Sequence, residues 1–142
     1  MGNAYPVTIA FDVQWGDMDA FGHVNNARYF TWFESCRTVY FLRLGLRMDA
    51  PSSLGPIVAS LTCDYLAPVV YPASLVAGVR VSKIGNTSFT MEYGLWKKDT
   101  PEHLVARGTS VVVLFDYAAQ KKVRIPDEIR DAIAKIEAIQ ST

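Results

Sequence analysis

Between Tyr5 and Trp15 apolar and polar residues alternate, with Val7, Ile9, Phe11, Val13 and Trp15 interleaved with Thr8, Ala10, Asp12 and Gln14. That period of two predicts a β-strand. The rhythm then changes. Beyond a polar loop, Gly16–Val24, the segment ARYFTWFESCRTVYFLRLG sets Tyr29, Trp32, Phe33, Cys36, Val39 and Tyr40 at helical spacing. Either Asn25 or Asn26 can cap its start, since an asparagine side chain accepts from a free N–H of the first turn. Gly45 provides the stop. Counted from Asn26 to Leu44, this helix is about 28 Å long at 1.5 Å per residue. Phe30, Phe41 and Leu42 broaden the apolar stripe, and a helix apolar on most sides is expected to be enclosed.

The turn-rich MDAPSSLGP leads into four segments with strand character: Ile57–Leu66, Ala73–Ile84, Thr87–Lys97 and His103–Phe115. A proline-bounded APVVYP, a tight IGNTS hairpin and an exposed KKDTPE turn separate them. In TSFTMEYGL one face carries Phe89, Met91, Tyr93 and Leu95. In LVARGTSVVVLF the small residues Ala106, Gly108 and Ser110 lie between Leu104 and Val112 on one face. Gly108 marks either close approach of the long helix or a β-bulge, and the pattern fits both. The tail IPDEIRDAIAKIEAIQ predicts a short surface helix with Ile129, Ile133 and Ile136 on one side. A curved antiparallel sheet wrapped on a central helix is the economical packing. Its open edges predict pairing between copies, at least as a homodimer.

A chain of 142 residues fits one domain, here residues 1–142, with little room for a second core. Fourteen basic side chains balance fourteen acidic ones, so no global field attracts nucleic acid or an anionic membrane. Cys36 and Cys63 form no C-x-x-C pair, which removes support for a zinc or redox site. They are expected as buried free thiols in a reducing compartment, with a single disulfide as the alternative. The N-terminus MGNAYPVTIA lacks the basic and apolar regions of a signal peptide, and proline stands where a myristoylation site wants Ser or Thr. No window approaches the apolar length of a membrane span. The expectation is a cytoplasmic protein.

The candidate chemistry gathers in WGDMDAFGHVNN, residues 15–26. Gly22 permits a sharp turn, and the helix that follows starts with N–H groups lacking intrahelical partners, at the positive end of its dipole. Such donors suit a carbonyl oxygen becoming an oxyanion, a contribution of about 10²–10³ in rate for one donor. An upstream carboxylate, ionised at neutral pH, can stand across the same carbonyl carbon as nucleophile or as base for water. There is no G-x-S-x-G to supply a serine nucleophile. The plainer alternatives are turn formation for Asp17, a loop role for His23, and core packing for the helix aromatics. A metal set of Asp17, Asp19 and His23 rests on proximity in sequence alone. Arg28 opposes the helix dipole, and pairing with Asp17, Asp19, a partner subunit or a substrate phosphate all remain open.

VQWGDMDAFGHVNNARYFTWFESCR resembles the N-terminal signature of hotdog-fold acyl-CoA thioesterases of the 4-hydroxybenzoyl-CoA thioesterase type. CDYLAPVVYPASLVAGVRVSKIGNTSFTMEYGLW, ARGTSVVVLFD and IPDEIRDAI are similar to the later strands and tail of that family. The resemblance implies an α+β hotdog fold, a five-stranded antiparallel sheet around a long central helix with a short C-terminal helix. It implies dimers that often pair into tetramers, with active sites at the dimer interface. By the same resemblance Asp19 matches the catalytic carboxylate and the Asn26 backbone N–H the carbonyl-polarising position. Lys83, Asn86, Thr87 and Ser88 match positions that meet the coenzyme A phosphates in related enzymes; His23 and Asn25 are expected to shape the loop, and Asn25, Arg28 and Tyr29 are further candidates for substrate binding. Relatives with an arginine-lysine run near that hairpin differ from this chain, which has a single cation there. Carrier-protein thioesters therefore stand beside acyl-CoA as substrates.

The implied activity is thioester hydrolysis to free acid and thiol, with coenzyme A as part of the substrate and no cofactor or metal. The acyl group is expected against Tyr29, Phe33 and Phe89. Two rival functions are a non-catalytic acyl-thioester binding module and a hotdog hydratase or dehydratase. The D-x-D-x-x-G-H-V-N-N run fits the thioesterase branch better than either.

Overall fold

The computed structural model describes residues 4–46 and 53–138. Strand β1 spans Val7–Asp12, and a 3-10 turn, Trp15–Asp17, opens the loop that leads to helix α1, Asn26–Arg43. Strands β2 (Leu54–Tyr65), β3 (Ser74–Ile84), β4 (Ser88–Lys97) and β5 (Leu104–Asp116) follow. A two-residue β6, Lys121–Lys122, and helix α2, Asp127–Ala138, complete the described chain. The sheet order is β1-β3-β4-β5-β2 with β6 beside β5, every pairing antiparallel. Part of the predicted MDAPSSLGP turn, residues 48–52, lies outside the described residues, as does Gly2.

Local chemistry accounts for the long helix. The Asn25 carboxamide oxygen accepts from the Ala27 N–H at 2.9 Å, which settles the cap on Asn25. At the other end Gly45 takes φ +82°, the left-handed geometry that glycine adopts without a Cβ penalty. Between them Tyr29, Trp32, Phe33, Cys36, Tyr40 and Phe41 are buried at three- and four-residue spacing. The helix packs on β1 and β3, and the Cys36 thiol points at the Ala77 carbonyl at 3.5 Å. The expected enclosure is one-sided in the protomer: Thr31, Glu34, Ser35 and Leu42 remain exposed.

Gly108 stands in register opposite both Cys63 and Tyr93, with no bulge at that position. A Cβ there would lie 2.4 Å from the Thr62 carbonyl oxygen and 2.8 Å from the Phe33 ring. Close approach of the Thr62 carbonyl of β2 and of the Phe33 ring of α1 together explain this glycine, and the bulges fall elsewhere, at Val58/Ser60, Val81/Lys83 and Leu95/Trp96.

Both cysteines are free; Cys36 is buried as expected, while Cys63 on β2 is only half-buried because β2 is a sheet edge. The predicted face Phe89, Met91, Tyr93 and Leu95 is fully inside, as are Ile129, Ile133 and Ile136 of α2. Among the described residues no helix is long and apolar enough to cross a membrane.

Candidate active site

The loop between β1 and α1 folds through two aspartates used differently. Asp17 is buried, and its Oδ2 accepts from the Gln14 N–H at 2.7 Å while its carbonyl accepts from the Asn25 N–H at 2.8 Å. Arg28 Nε approaches Asp17 Oδ1 at 3.4 Å, so the arginine pairs with Asp17. Asp17 is thus a structural clamp between the 3-10 turn and the helix start.

Asp19 lies on the other side of the loop. Its N–H donates to the His23 carbonyl at 2.8 Å, and its own carbonyl accepts from the Gly22 N–H at 3.1 Å. Gly22 closes this turn at φ +82°. Asp19 Oδ1 accepts from the Phe21 N–H at 2.9 Å, leaving Oδ2 without a hydrogen bond from any described residue. The Val24 N–H donates to the Val69 carbonyl at 2.9 Å, tying the loop to the β2–β3 connection.

Together these contacts border a cleft of about 380 Å³ lined by Asp19, His23, Val24, Asn26, Tyr29 and, from β2 and the segment after it, Tyr65–Val69. At its floor is the first turn of α1. The Ala27 N–H is taken by Asn25 Oδ1 and the Arg28 N–H by the Asn25 carbonyl at 3.0 Å. The Asn26 N–H has no partner among the described residues. Asp19, with one carboxylate oxygen uncommitted, and Asn26, with an unspent helix N–H, therefore both line a single cleft. The Tyr65 hydroxyl donates to the Asn26 carbonyl at 3.1 Å and holds that turn against β2. Burial pushes the Tyr29 hydroxyl up to about 12, with smaller contributions from Cys63 and Tyr65.

The structure sorts the sequence candidates. Asp19, His23, Asn26 and Tyr29 share the cleft, His23 on its exposed rim. Asn25 acts behind it as the cap. Asp17, Asp19 and His23 are not gathered as a ligand set, and no group of three metal-ligating side chains occurs among the described residues.

Lys83, Asn86, Thr87 and Ser88 lie at the far end of the sheet. Tyr65 pairs with Ala106 and Ser88 pairs with Val113, and the run from Ala106 to Val113 covers about 23 Å at roughly 3.3 Å per residue. One protomer does not bring them to Asp19. Arg130 joins this hairpin, donating through Nη2 to the Gly85 and Asn86 carbonyls at 2.8 and 3.1 Å. Its position in an amphipathic tail helix carried no signal for that role.

Phe33 and Phe89 do not line the cleft. Phe33 stacks on Tyr93 and Phe89 meets Phe41 edge-on, both within the sealed core. The walls come instead from Tyr65–Val69, which in sequence read as the end of a strand, Tyr65 and Leu66, and the connection that follows it. A larger cleft of about 880 Å³ lies beyond Pro68, between Asp12, Tyr71, Ser74 and Lys97–Asp99. There Ser74 Oγ donates to Asp12 Oδ1 at 2.7 Å, and no residue of α1 or α2 lines it.

The chain is similar in sequence and in fold to known thioesterases. The thioesterase-like superfamily model matches residues 13–133. The acyl-CoA thioesterase YbgC of Haemophilus influenzae is 26% identical over 92% of this chain and 93% of its own length. YsmA of Bacillus subtilis is 36% identical, in a match spanning 57% of this chain and about half (54%) of that protein. Among solved structures, the PA2801 protein of Pseudomonas aeruginosa superimposes with a TM-score of 0.84 at 35% identity, covering 92% of this chain and 99% of that one. A Thermus thermophilus thioesterase solved with coenzyme A and zinc gives 0.80 at 29% identity, over 94% and 96%.

Proposed function

We propose that this chain, which belongs to the thioesterase-like superfamily, hydrolyses an acyl-CoA thioester to a free acid and a thiol in the cleft between Asp19 and the first turn of α1. The observation that carries the reading is the pairing of Asp19 with the unpartnered Asn26 N–H on one cleft of acyl-group size. The superfamily match and the acyl-CoA thioesterase relative support the same reaction class.

With the thioester carbonyl oxygen at the Asn26 N–H, its carbon faces Asp19. Asp19 Oδ2 either attacks that carbon or takes a proton from an attacking water. In the first case the C–S bond breaks, the thiolate leaves and takes a proton from solvent, and water then cleaves the acyl anhydride to release acid and regenerate Asp19. In the second the water oxygen forms the new C–O bond directly, the C–S bond breaks as the oxyanion collapses, and the leaving thiolate takes up the proton that Asp19 had accepted. The positive end of the α1 dipole stabilises the oxyanion in both. His23 is a supporting group at the rim. Neither route requires a cofactor.

The hairpin candidates enter through a second copy. Pairing β2 edge to edge, antiparallel, would set the partner's Leu54 end beside Tyr65 and bring its β3–β4 hairpin toward the cleft mouth. There Lys83, Asn86, Thr87 and Ser88 would meet the nucleotide phosphates. The 12-residue length of β2, its edge position and its exposed Ile57 and Val58 favour that pairing.

The test is thiol release from short, long and aryl acyl-CoAs and an acyl carrier protein, run beside Asp19→Asn. Asparagine keeps an acceptor for the Phe21 N–H while removing the charge. The expected result is a kcat at least about 100-fold lower with the melting temperature little changed. Undiminished turnover would remove Asp19 from the mechanism.

A further inference from the structure

The cleft holds one polar atom that hydrolysis does not use. Tyr29 is 3% exposed, wedged between Trp32 and Tyr65 with ring centroids at 5.3 and 4.9 Å. Buried or contacting tyrosines nearby all spend their hydroxyls: Tyr65 on the Asn26 carbonyl, Tyr93 on Ser110 and Tyr40 on Glu137. The Tyr29 hydroxyl bonds to no described residue. Among the described residues, however, no side-chain oxygen or nitrogen is both sealed from solvent and without a partner. The hydroxyl therefore keeps a small opening, and the space that Tyr29 borders is the Asp19 cleft.

Asn26 and Tyr29 are one helical turn apart, a rise of about 4.5 Å. An acyl group whose carbonyl oxygen meets the Asn26 N–H runs past Tyr29 within its first few carbons. We infer that the Tyr29 hydroxyl hydrogen-bonds an oxygen on the acyl chain, so that the site selects short hydroxyacyl or oxoacyl thioesters over saturated chains of equal length. This rests on the hydrolase reading above. A plain methylene chain filling the cleft would displace water from a hydroxyl that has no other partner, and an unpaired buried polar group is penalised. Because burial holds its pKa near 12, the hydroxyl is protonated at neutral pH and available as a donor. The cleft is open enough for residual water, so the expected discrimination is roughly 10-fold or more rather than the far larger ratios of closed pockets.

The experiment compares butanoyl-CoA with its 2-hydroxy, 3-hydroxy, 4-hydroxy and 3-oxo analogues on the wild-type protein and Tyr29→Phe. The wild type is expected to favour at least one oxygenated substrate about 10-fold in kcat/KM. In Tyr29→Phe the kcat/KM ratio of the oxygenated to the plain substrate should fall about 10-fold, toward one. Where the wild type turns these substrates over, equal kcat/KM for all five, or the same preference in Tyr29→Phe, overturns the inference. Calorimetric binding of the same thioesters to Asp19→Asn, alone and combined with Tyr29→Phe, separates the two readings. Selective binding that needs Tyr29, with no thiol release from any substrate by the wild type, would sink hydrolysis and leave this inference standing. Equal binding of all five, with turnover intact, would do the reverse.

Discussion

Asp17 commits Oδ2 to the Gln14 N–H and Oδ1 to Arg28, whereas Asp19 commits only Oδ1, to the Phe21 N–H. Removing the Asp17 carboxylate leaves the Gln14 N–H unpaired beside a half-exposed arginine. Asp17→Ala should therefore lower stability by about 1–3 kcal/mol in urea titration. Asp19→Asn should change it by no more than about 0.5 kcal/mol, as a partly exposed position that keeps its acceptor. The structural role of Asp17 was legible in sequence, because turn formers and a helix cap crowd into ten residues. The partner of Arg28 was not, since Asp17, Asp19, a partner subunit and a substrate phosphate were all compatible with its place in the sequence.

Elements meet at points where a single atom decides the fit. Gly108 admits Phe33 of α1 above β5, and Gly108→Ala would push a methyl against the Thr62 carbonyl and that ring. A loss of about 1–3 kcal/mol is expected, read as a lower thermal midpoint. On the far side, Glu137 of α2 accepts from the Tyr40 hydroxyl at 2.6 Å and from the Val81 N–H at 3.0 Å, beside the β3 bulge. Glu137→Ala leaves both donors without a partner, so hydrogen exchange at the Val81 amide should accelerate and α2 should lose protection before the central strands. Periodicity revealed every long strand and both helices to within a few residues. The two-residue β6 and the Glu137 contact carried no periodic signal, because each depends on one backbone or side-chain pairing between distant segments.

Across the whole molecule, burial holds protons on groups that the unfolded chain gives up. Cys36 is pushed from 9.0 to about 12 and Tyr29 from 10.0 to about 12, both chiefly by desolvation, with Tyr40 and Tyr93 raised as well. The folded state then binds more protons than the unfolded state above about pH 9, so stability falls with rising pH in that window. Denaturant midpoints should be unaffected by these groups below pH 9 and drop progressively toward pH 12. A midpoint flat across that range would mean the thiol and hydroxyls are not sequestered. At this scale assembly matters too. Sedimentation is expected to give a dimer or larger; a monomer with full activity would leave Lys83, Asn86, Thr87 and Ser88 about 23 Å from the cleft and remove them from substrate binding.

By itself the amino-acid sequence determined the elements, their order and the location of the chemistry, because periodicity, caps and glycine stops act over a few residues. Asp19 and Asn26 were named through the resemblance to the thioesterase signature, since local pattern left the carboxylate and the capping asparagine open. Tertiary structure alone decided that Phe33 and Phe89 are sealed in the core and that Tyr65–Val69 wall the cleft. It alone joined Arg130 to the β3–β4 hairpin. Those outcomes depend on which side of the helix the sheet covers and which strand ends at its N-terminus, and no local pattern encodes the distance between two strands' ends.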